Sequence, residues 1–114
     1  MALIHNDGKT IIHDFNPGAA VVTDSEWLFA LRYSELVASV EALTVGDVVQ
    51  LRGHGGDPDI SPDPADIGFQ IGVDITADGA LQSTVLPTFV KLIKSANVGG
   101  GATTAELLLR KDNL

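Results

Sequence analysis

The stretch GFQIGVDIT, residues 68–76, decides the fold class, because apolar residues alternate along it with polar or small residues. Alternation with a period of two is typical of a strand that buries one face and exposes the other. The apolar positions are Phe69, Ile71, Val73 and Ile75. The stretch therefore predicts a half-buried β-strand.

The next segment predicts that this strand returns in a hairpin. A three-residue loop, Ala77-Asp78-Gly79, would set Ile75 opposite Leu81 and Ile71 opposite Val85, and so match apolar with apolar residues. A two-residue loop would set apolar residues opposite polar ones. The three-residue loop is therefore favoured.

Turn signals divide the rest of the chain into similar short segments. Asp7-Gly8 separates two apolar runs and predicts a tight hairpin with Ile4 opposite Ile11. Asn16-Pro17-Gly18 predicts another turn, and Gly99-Gly100-Gly101 predicts a flexible one.

Residues 24–43 allow two interpretations. As a helix, they would begin with a capping box of Thr23 and Glu26 and carry an apolar stripe from Phe29 to Leu43. As a hairpin that turns at Ser34-Glu35, they would have one wholly apolar face. The hairpin is favoured because it agrees with the β character of the remaining chain.

These patterns predict a mainly β fold, an antiparallel sandwich or barrel that is jelly-roll-like, with about eight to ten short strands. The alternative is an α+β fold with one helix at 24–43 packed on an antiparallel sheet. A chain of 114 residues with an apolar share of 45% is expected to form a single domain, residues 1–114.

Composition narrows the function classes. A formal net charge of −8 argues against nucleic-acid binding and against anionic membrane surfaces. The chain has no cysteine, so it can form no disulfide and no Cys-ligated metal site. No apolar run is long enough to span a membrane, and the first residues do not resemble a secretory signal. Synthesis in the cytoplasm is therefore expected.

The loop from Asp57 to Asp66 contains the most suggestive chemistry. Asp57, Asp59 and Asp63 place carboxylates at alternate positions, as calcium-binding loops do. However, Pro62 and Gly68 stand where an EF-hand needs Gly and Glu, and three prolines are expected to keep the loop extended. A calcium site at these three aspartates is therefore kept as an alternative to a solvated loop or a contact loop.

Other candidate sites have simpler structural explanations. In the predicted register His5 and His13 point to opposite faces of their hairpin, so they are not expected to share a metal ion. The aromatic residues Trp27, Phe29 and Tyr33 are interpreted as core. No catalytic motif and no cofactor motif is present, so neither an enzyme nor a cofactor is predicted.

The leading hypothesis is a non-enzymatic structural protein that works in multiple copies, most concretely a virion component such as a capsid decoration or tail protein. Its expected partners are further copies of itself and other proteins of the same assembly. The expected contact elements are the segments 1–5 and 107–114 together with the loop 57–66. The alternative is a small ligand-binding β module that takes a carbohydrate, with or without calcium.

Overall fold

In a computed structural model, which describes residues 1–111, all the regular elements are β-strands. Over those residues the strands are β1 (Leu3–Asn6), β2 (Thr10–Gly18), β3 (Leu28–Phe29), β4 (Glu35–Glu41), β5 (Asp47–His54), β6 (Phe69–Ile75), β7 (Gly79–Ser83), β8 (Phe89–Asn97) and β9 (Thr103–Arg110). Sheet A has the order β1-β2-β9-β4-β7, and sheet B has the order β3-β8-β5-β6. The two antiparallel sheets form a sandwich that does not close into a barrel, which confirms the predicted mainly β fold.

The strand pairing follows a simple rule. Strand β2 pairs with β9, β3 with β8, β4 with β7 and β5 with β6. A ribbon that pairs its first half antiparallel with its second half, and is then rolled into two sheets, is a jelly roll. Strand β1 extends sheet A beyond this ribbon.

The core lies between the sheets and consists of alternate residues of the central strands. Fully buried members are Leu36, Ala38 and Val40 on β4, Val49 and Leu51 on β5, Val90 and Leu92 on β8, and Leu107 and Leu109 on β9. Burial of this apolar surface is the main favourable term in folding.

Residues 24–43 are extended, but the hairpin predicted for them is wrong. Strand β3 lies in sheet B beside β8, whereas β4 lies in sheet A between β9 and β7. The chain crosses between the sheets at residues 30–34 instead of turning back on itself at Ser34-Glu35. The residues described contain no helix, so the α+β alternative is wrong too.

The strand at 69–75 is confirmed, but its predicted hairpin partner is wrong. Strand β6 pairs with β5 in sheet B, and β7 pairs with β4 in sheet A. Because β6 is an edge strand with a bulge, Phe69 is 51% exposed and Val73 is 72% exposed. Only Ile75 among the four apolar positions is buried.

The β1–β2 hairpin forms with a longer loop than predicted. Asn6 lies opposite Ile11 and His5 opposite Ile12, and an irregularity in β1 then places Leu3 opposite His13. The predicted pairing of Ile4 with Ile11 is therefore wrong. Residues 1–111 contain no helix long and apolar enough to cross a membrane.

Candidate functional site

The loop of residues 55–68 folds across the outer face of sheet B. Side chains of the sheet hold it there by donating hydrogen bonds to its backbone carbonyl oxygens. Lys91 alternates along β8 with core residues, so its side chain points to this outer face. Its Nζ donates hydrogen bonds to the carbonyl oxygens of Pro64 and Asp66, each at 2.8 Å. Arg52 donates to the carbonyl oxygens of Ile67 and Gly68, at 2.8 and 2.9 Å.

Trp27 also forms a hydrogen bond to this loop. Its Nε1 donates to the carbonyl oxygen of Asp63 at 3.1 Å, and the Nζ of Lys91 lies 4.4 Å from the centre of its ring. The His54 ring meets the indole edge-on, with 5.4 Å between ring centres. A cation held over an aromatic face and bonded to carbonyl oxygens can stay charged away from water.

The ionisable groups under the loop influence one another. Burial lowers the pKa of Lys91, against the raising effect of Asp24 and Asp66. The hydrogen bond to the Gly55 carbonyl raises the pKa of His54, and its contact with the Asp66 carboxylate, 3.0 Å from Nε2, acts in the same direction. Two hydrogen bonds lower the pKa of Asp66. The larger effect comes from the N–H of Gly68, and the smaller one comes from the His54 side chain.

The three aspartates of the calcium hypothesis lie on the exposed side of this loop. Asp57 accepts a hydrogen bond from the N–H of Asp59, and Asp63 accepts one from the N–H of Ala65, each at 2.9 Å. Each acceptor precedes a proline and opens a tight turn, in which Ile60 N–H bonds to Asp57 and Asp66 N–H bonds to Asp63. The loop is therefore a pair of proline turns and not the extended segment that was predicted.

Within residues 1–111, no group of three His, Asp or Glu side chains is arranged to hold a metal ion. The structure assigns two of the three aspartates another role, that of turn-forming acceptors. The calcium site stays an untested prediction.

A second polar centre lies at the other end of the sandwich, around Asp47. This fully buried carboxylate accepts hydrogen bonds from the N–H and hydroxyl of Thr44 and from the N–H groups of Gly99, Gly100 and Gly101. Burial alone would raise the pKa of Asp47, but these bonds outweigh it and hold the pKa well below its usual range. The glycine turn predicted to be flexible is thus anchored.

Lys94 completes this centre. Its fully buried Nζ donates to the carbonyl oxygens of Gly18 and Gly101 and to the Asn97 side chain, at 2.7 to 2.9 Å, and lies 3.9 Å from Asp47. These partners lie at the end of β2, at the end of β8 and in the turn before β9, so the lysine ties these three ends of the sandwich together.

The outermost strands differ in how well they are protected against pairing with another chain. Strand β3 has two residues, β1 has a register irregularity near Ile4, and β6 has a bulge at Gly72. Strand β7 pairs with β4 over five consecutive residues without a register shift. It carries no charge and no proline, the usual devices that block edge pairing.

Exposed apolar residues accompany this edge. Strands β6 and β7 end their two sheets on the same side, where a Cβ placed on Gly72 would come within 3.2 Å of Leu81. Phe69 and Val73 are exposed on β6, and Val85, two residues after the end of β7, is 79% exposed. We call β7 and these three residues the β7 surface.

Sequence reasoning missed the β7 surface, although a signal for it exists. Residues 79–90 form a run of twelve uncharged residues in a chain whose net charge is −8. One of the expected contact elements, residues 107–114, is placed differently by the structure. Leu107–Arg110 lies in β9, between β2 and β4, and so offers no free edge, whereas residues 112–114 lie outside the part of the chain that is described.

Comparison of the chain with protein-family models, with curated proteins and with solved structures finds no match.

Proposed function

We propose that this protein is a structural module that assembles in multiple copies, most concretely as a virion component such as a capsid decoration or tail protein. The observation that carries the proposal is the uncharged, regular edge of β7 beside exposed apolar residues. Such an edge offers unpaired backbone groups to a further strand.

The charge distribution favours a second copy as the strand that pairs there. Two chains that each carry −8 repel one another over most approaches. At β7 no acidic side chain intervenes between Gly79 and Val90. Two β7 strands in antiparallel contact about a two-fold axis would make the same contacts in both directions, as symmetric dimers do.

The exposed apolar residues add a driving force that the backbone edge alone lacks. Single exposed apolar side chains are common, but Phe69, Val73 and Val85 lie on the side of the sandwich where the two sheets end. Covering them in an interface removes apolar area from water, at roughly 25 cal/mol for each Å².

The virion assignment rests on analogy of fold. Jelly rolls recur in viral capsid proteins, and also in lectins, so the fold alone does not select between assembly and ligand binding. The anchored loop 55–68 supports contact with other proteins, because a loop held by Lys91, Arg52 and Trp27 loses little entropy on docking.

The test is the absolute mass in solution, by light scattering and sedimentation, of the wild type and two matched lysine variants. Ala80 on β7 and Ser39 on β4 lie directly opposite each other, and both are exposed. We expect the wild type to exceed the monomer mass of 11.9 kDa, Ala80→Lys to be monomeric, and Ser39→Lys to assemble as the wild type does. Assembly of Ala80→Lys equal to that of Ser39→Lys, or a monomeric wild type at all concentrations, would reject the β7 surface.

A further inference from the structure

Strand β7 can pair with a second copy of itself in only a few registers. In an antiparallel pair, two residues that lie opposite each other point to the same face of the sheet. Side chains alternate between the faces along a strand, so a two-fold symmetric pair must place one residue opposite its own copy. With Leu81 in this position all five residues of β7 have a partner, whereas with Ala80 or Gln82 there only three do.

The register centred on Leu81 also gives the most complementary side-chain contacts. On the inner face the two Leu81 side chains meet, and Gly79 lies opposite Ser83. On the outer face Ala80 lies opposite Gln82, so a small side chain faces a larger one. If Gln82 were at the axis instead, Leu81 would lie opposite the polar Ser83. Apolar pairing therefore favours Leu81 at the axis.

The same register keeps the nearest acidic groups apart. Asp78 directly precedes β7, and in this register it lies opposite Thr84 of the second copy. The two copies of Asp78 are then separated by six residues along the strand direction, which is about 20 Å. This distance exceeds the Debye length of about 8 Å at physiological ionic strength, so the repulsion between them is largely screened.

A bulge in β6 supplies further apolar surface beside the axis. A stable dimer buries roughly 800 Å² on each partner, and the pairing of five residues covers only part of that area. A Cβ placed on Gly72 would come within 3.2 Å of both terminal methyl carbons of Leu81, so the bulge lies against this side chain. Val73 follows Gly72 and is 72% exposed. It therefore lies close to the axis that passes beside Leu81.

We infer that a second copy of this chain pairs antiparallel with β7 in a single register, in which Leu81 lies opposite Leu81, Ala80 lies opposite Gln82, and Val73 of each copy lies beside the two-fold axis. The two five-stranded A sheets then form one continuous sheet across the dimer. This inference rests on the proposed function, because it requires β7 to be the edge through which copies assemble.

The test of the register is disulfide trapping with single cysteines, for which a chain without cysteine is a suitable background. Ala80 and Gln82 are exposed, and the Cα atoms of opposite residues in an antiparallel pair lie about 4.5 or 5.5 Å apart, within the range of a disulfide. We expect an oxidised mixture of Ala80→Cys and Gln82→Cys to give mainly the mixed disulfide dimer, identified by its intact mass. Each variant alone is expected to form little disulfide.

Every other crosslinking pattern would overturn the inferred register. Efficient crosslinking of Ala80→Cys alone would place Ala80 at the axis, and that of Gln82→Cys alone would place Gln82 there. Mixed and unmixed dimers in the ratio of random collisions, or no crosslinking of either variant, would show that no such pair forms. Ser39→Cys, which lies opposite Ala80 on β4 and therefore one strand in from the edge, is the control and is expected not to crosslink.

A pair of aspartate variants tests the position of Val73. Val21 is a matched control because it is also exposed and precedes Val22, which pairs with Lys94 at the edge of sheet B opposite to β6. Val73→Asp would place two like charges beside the axis, so we expect it to be monomeric at concentrations at which Val21→Asp is dimeric. Equal dimerisation of the two variants would overturn the placement of Val73.

The mass of the wild type in solution separates this inference from the proposed function. A wild type that is monomeric at all concentrations would reject both, and would leave β7 as an edge for a strand of another protein. A wild type that dimerises through β7, as judged by a monomeric Ala80→Lys, but gives crosslinks of another register would reject only the register inferred from Leu81.

Discussion

The carboxylate of Asp47 lies 3.9 Å from the ammonium group of Lys94, and both side chains are fully buried. Each group has further partners besides the other. Backbone N–H groups donate hydrogen bonds to the carboxylate, and carbonyl oxygens accept hydrogen bonds from the ammonium group. A buried ion pair stabilises a protein only when its remaining hydrogen bonds are made in this way. The pair therefore orders the turns between β4 and β5 and between β8 and β9.

We expect Asp47→Asn to lower the free energy of unfolding strongly. The amide keeps one acceptor oxygen but turns an NH₂ group toward N–H donors, and it leaves Lys94 buried without its counter-charge. Chemical denaturation measures the change. Asp74→Asn is the control, because this exposed carboxylate accepts hydrogen bonds from Gln50 and Gln70. A similar decrease in the free energy of unfolding in both variants would show that the burial of Asp47 has no special role in stability.

The depressed pKa of Asp47 predicts a particular acid sensitivity. A carboxyl group whose pKa is lower in the folded state than its unfolded value of 3.8 stabilises the protein above that pH. The contribution is lost as the pH falls through the folded pKa. We therefore expect the difference in unfolding free energy between the wild type and Asp47→Asn to shrink below about pH 4. If the difference in unfolding free energy between the two proteins were constant with pH, this would contradict the lowered pKa of Asp47.

Lys91 is expected to hold the loop 55–68 in place. Lys91→Met removes the donor to Pro64 and Asp66 and leaves both carbonyl oxygens without their partner. We expect a loss of about 1–3 kcal/mol in unfolding free energy. We also expect faster proteolysis within the loop and altered Trp27 fluorescence. Lys9→Met, on the exposed turn between β1 and β2, is the control and should leave the proteolysis of the loop and the Trp27 fluorescence unchanged.

The sequence predicts strands well and their partners poorly, for a physical reason. Alternation at 69–75 reports only that one face is buried, and this holds whichever strand lies alongside. In a jelly roll most partners are distant in sequence, as Leu28 and Val90 are, whereas hairpin reasoning pairs neighbours. Only the β1–β2 hairpin was predicted with the correct partner, and its register depended on a loop whose length the Asp7-Gly8 signal did not determine.

The polar centres were not predicted because backbone atoms build most of them. The carbonyl oxygens around Lys91 and Lys94 leave no trace in residue type. The lysines themselves are visible in the sequence. Lys91 interrupts the apolar run Phe89–Ile93, and Lys94 follows that run directly. A lysine in such a strand indicates a buried cation that needs oxygen partners.

The contact between His54 and Asp66 predicts a pH window for the anchored loop. The raised pKa of His54 means that its contribution to stability is present below its unfolded value of 6.5 and is lost as the pH rises through the folded pKa. The lowered pKa of Asp66 means that its contribution is present above 3.8. We therefore expect His54→Asn to lower the free energy of unfolding most between about pH 4 and 6.5, and to lower it less at alkaline pH.

Salt provides the control for this prediction. The side chain of His54 is 30% exposed and that of Asp66 is 50% exposed, so added salt should reduce the effect of His54→Asn. A cost that is independent of both pH and salt would show that the mutation acts through the ring contact with Trp27 and not through charge.

The aspartates of the acidic loop can be tested with paired substitutions that separate shape from charge. Asparagine accepts the same turn hydrogen bond as aspartate, whereas alanine does not. We therefore expect Asp57→Asn and Asp63→Asn to retain the wild-type unfolding free energy, and the alanine variants to lose about 1 kcal/mol each. Thermal unfolding with added calcium tests the other hypothesis, because calcium needs the charge. A rise in Tm with calcium in the wild type that both asparagine variants lack would establish a calcium site at these aspartates, and would contradict a role limited to forming the turns.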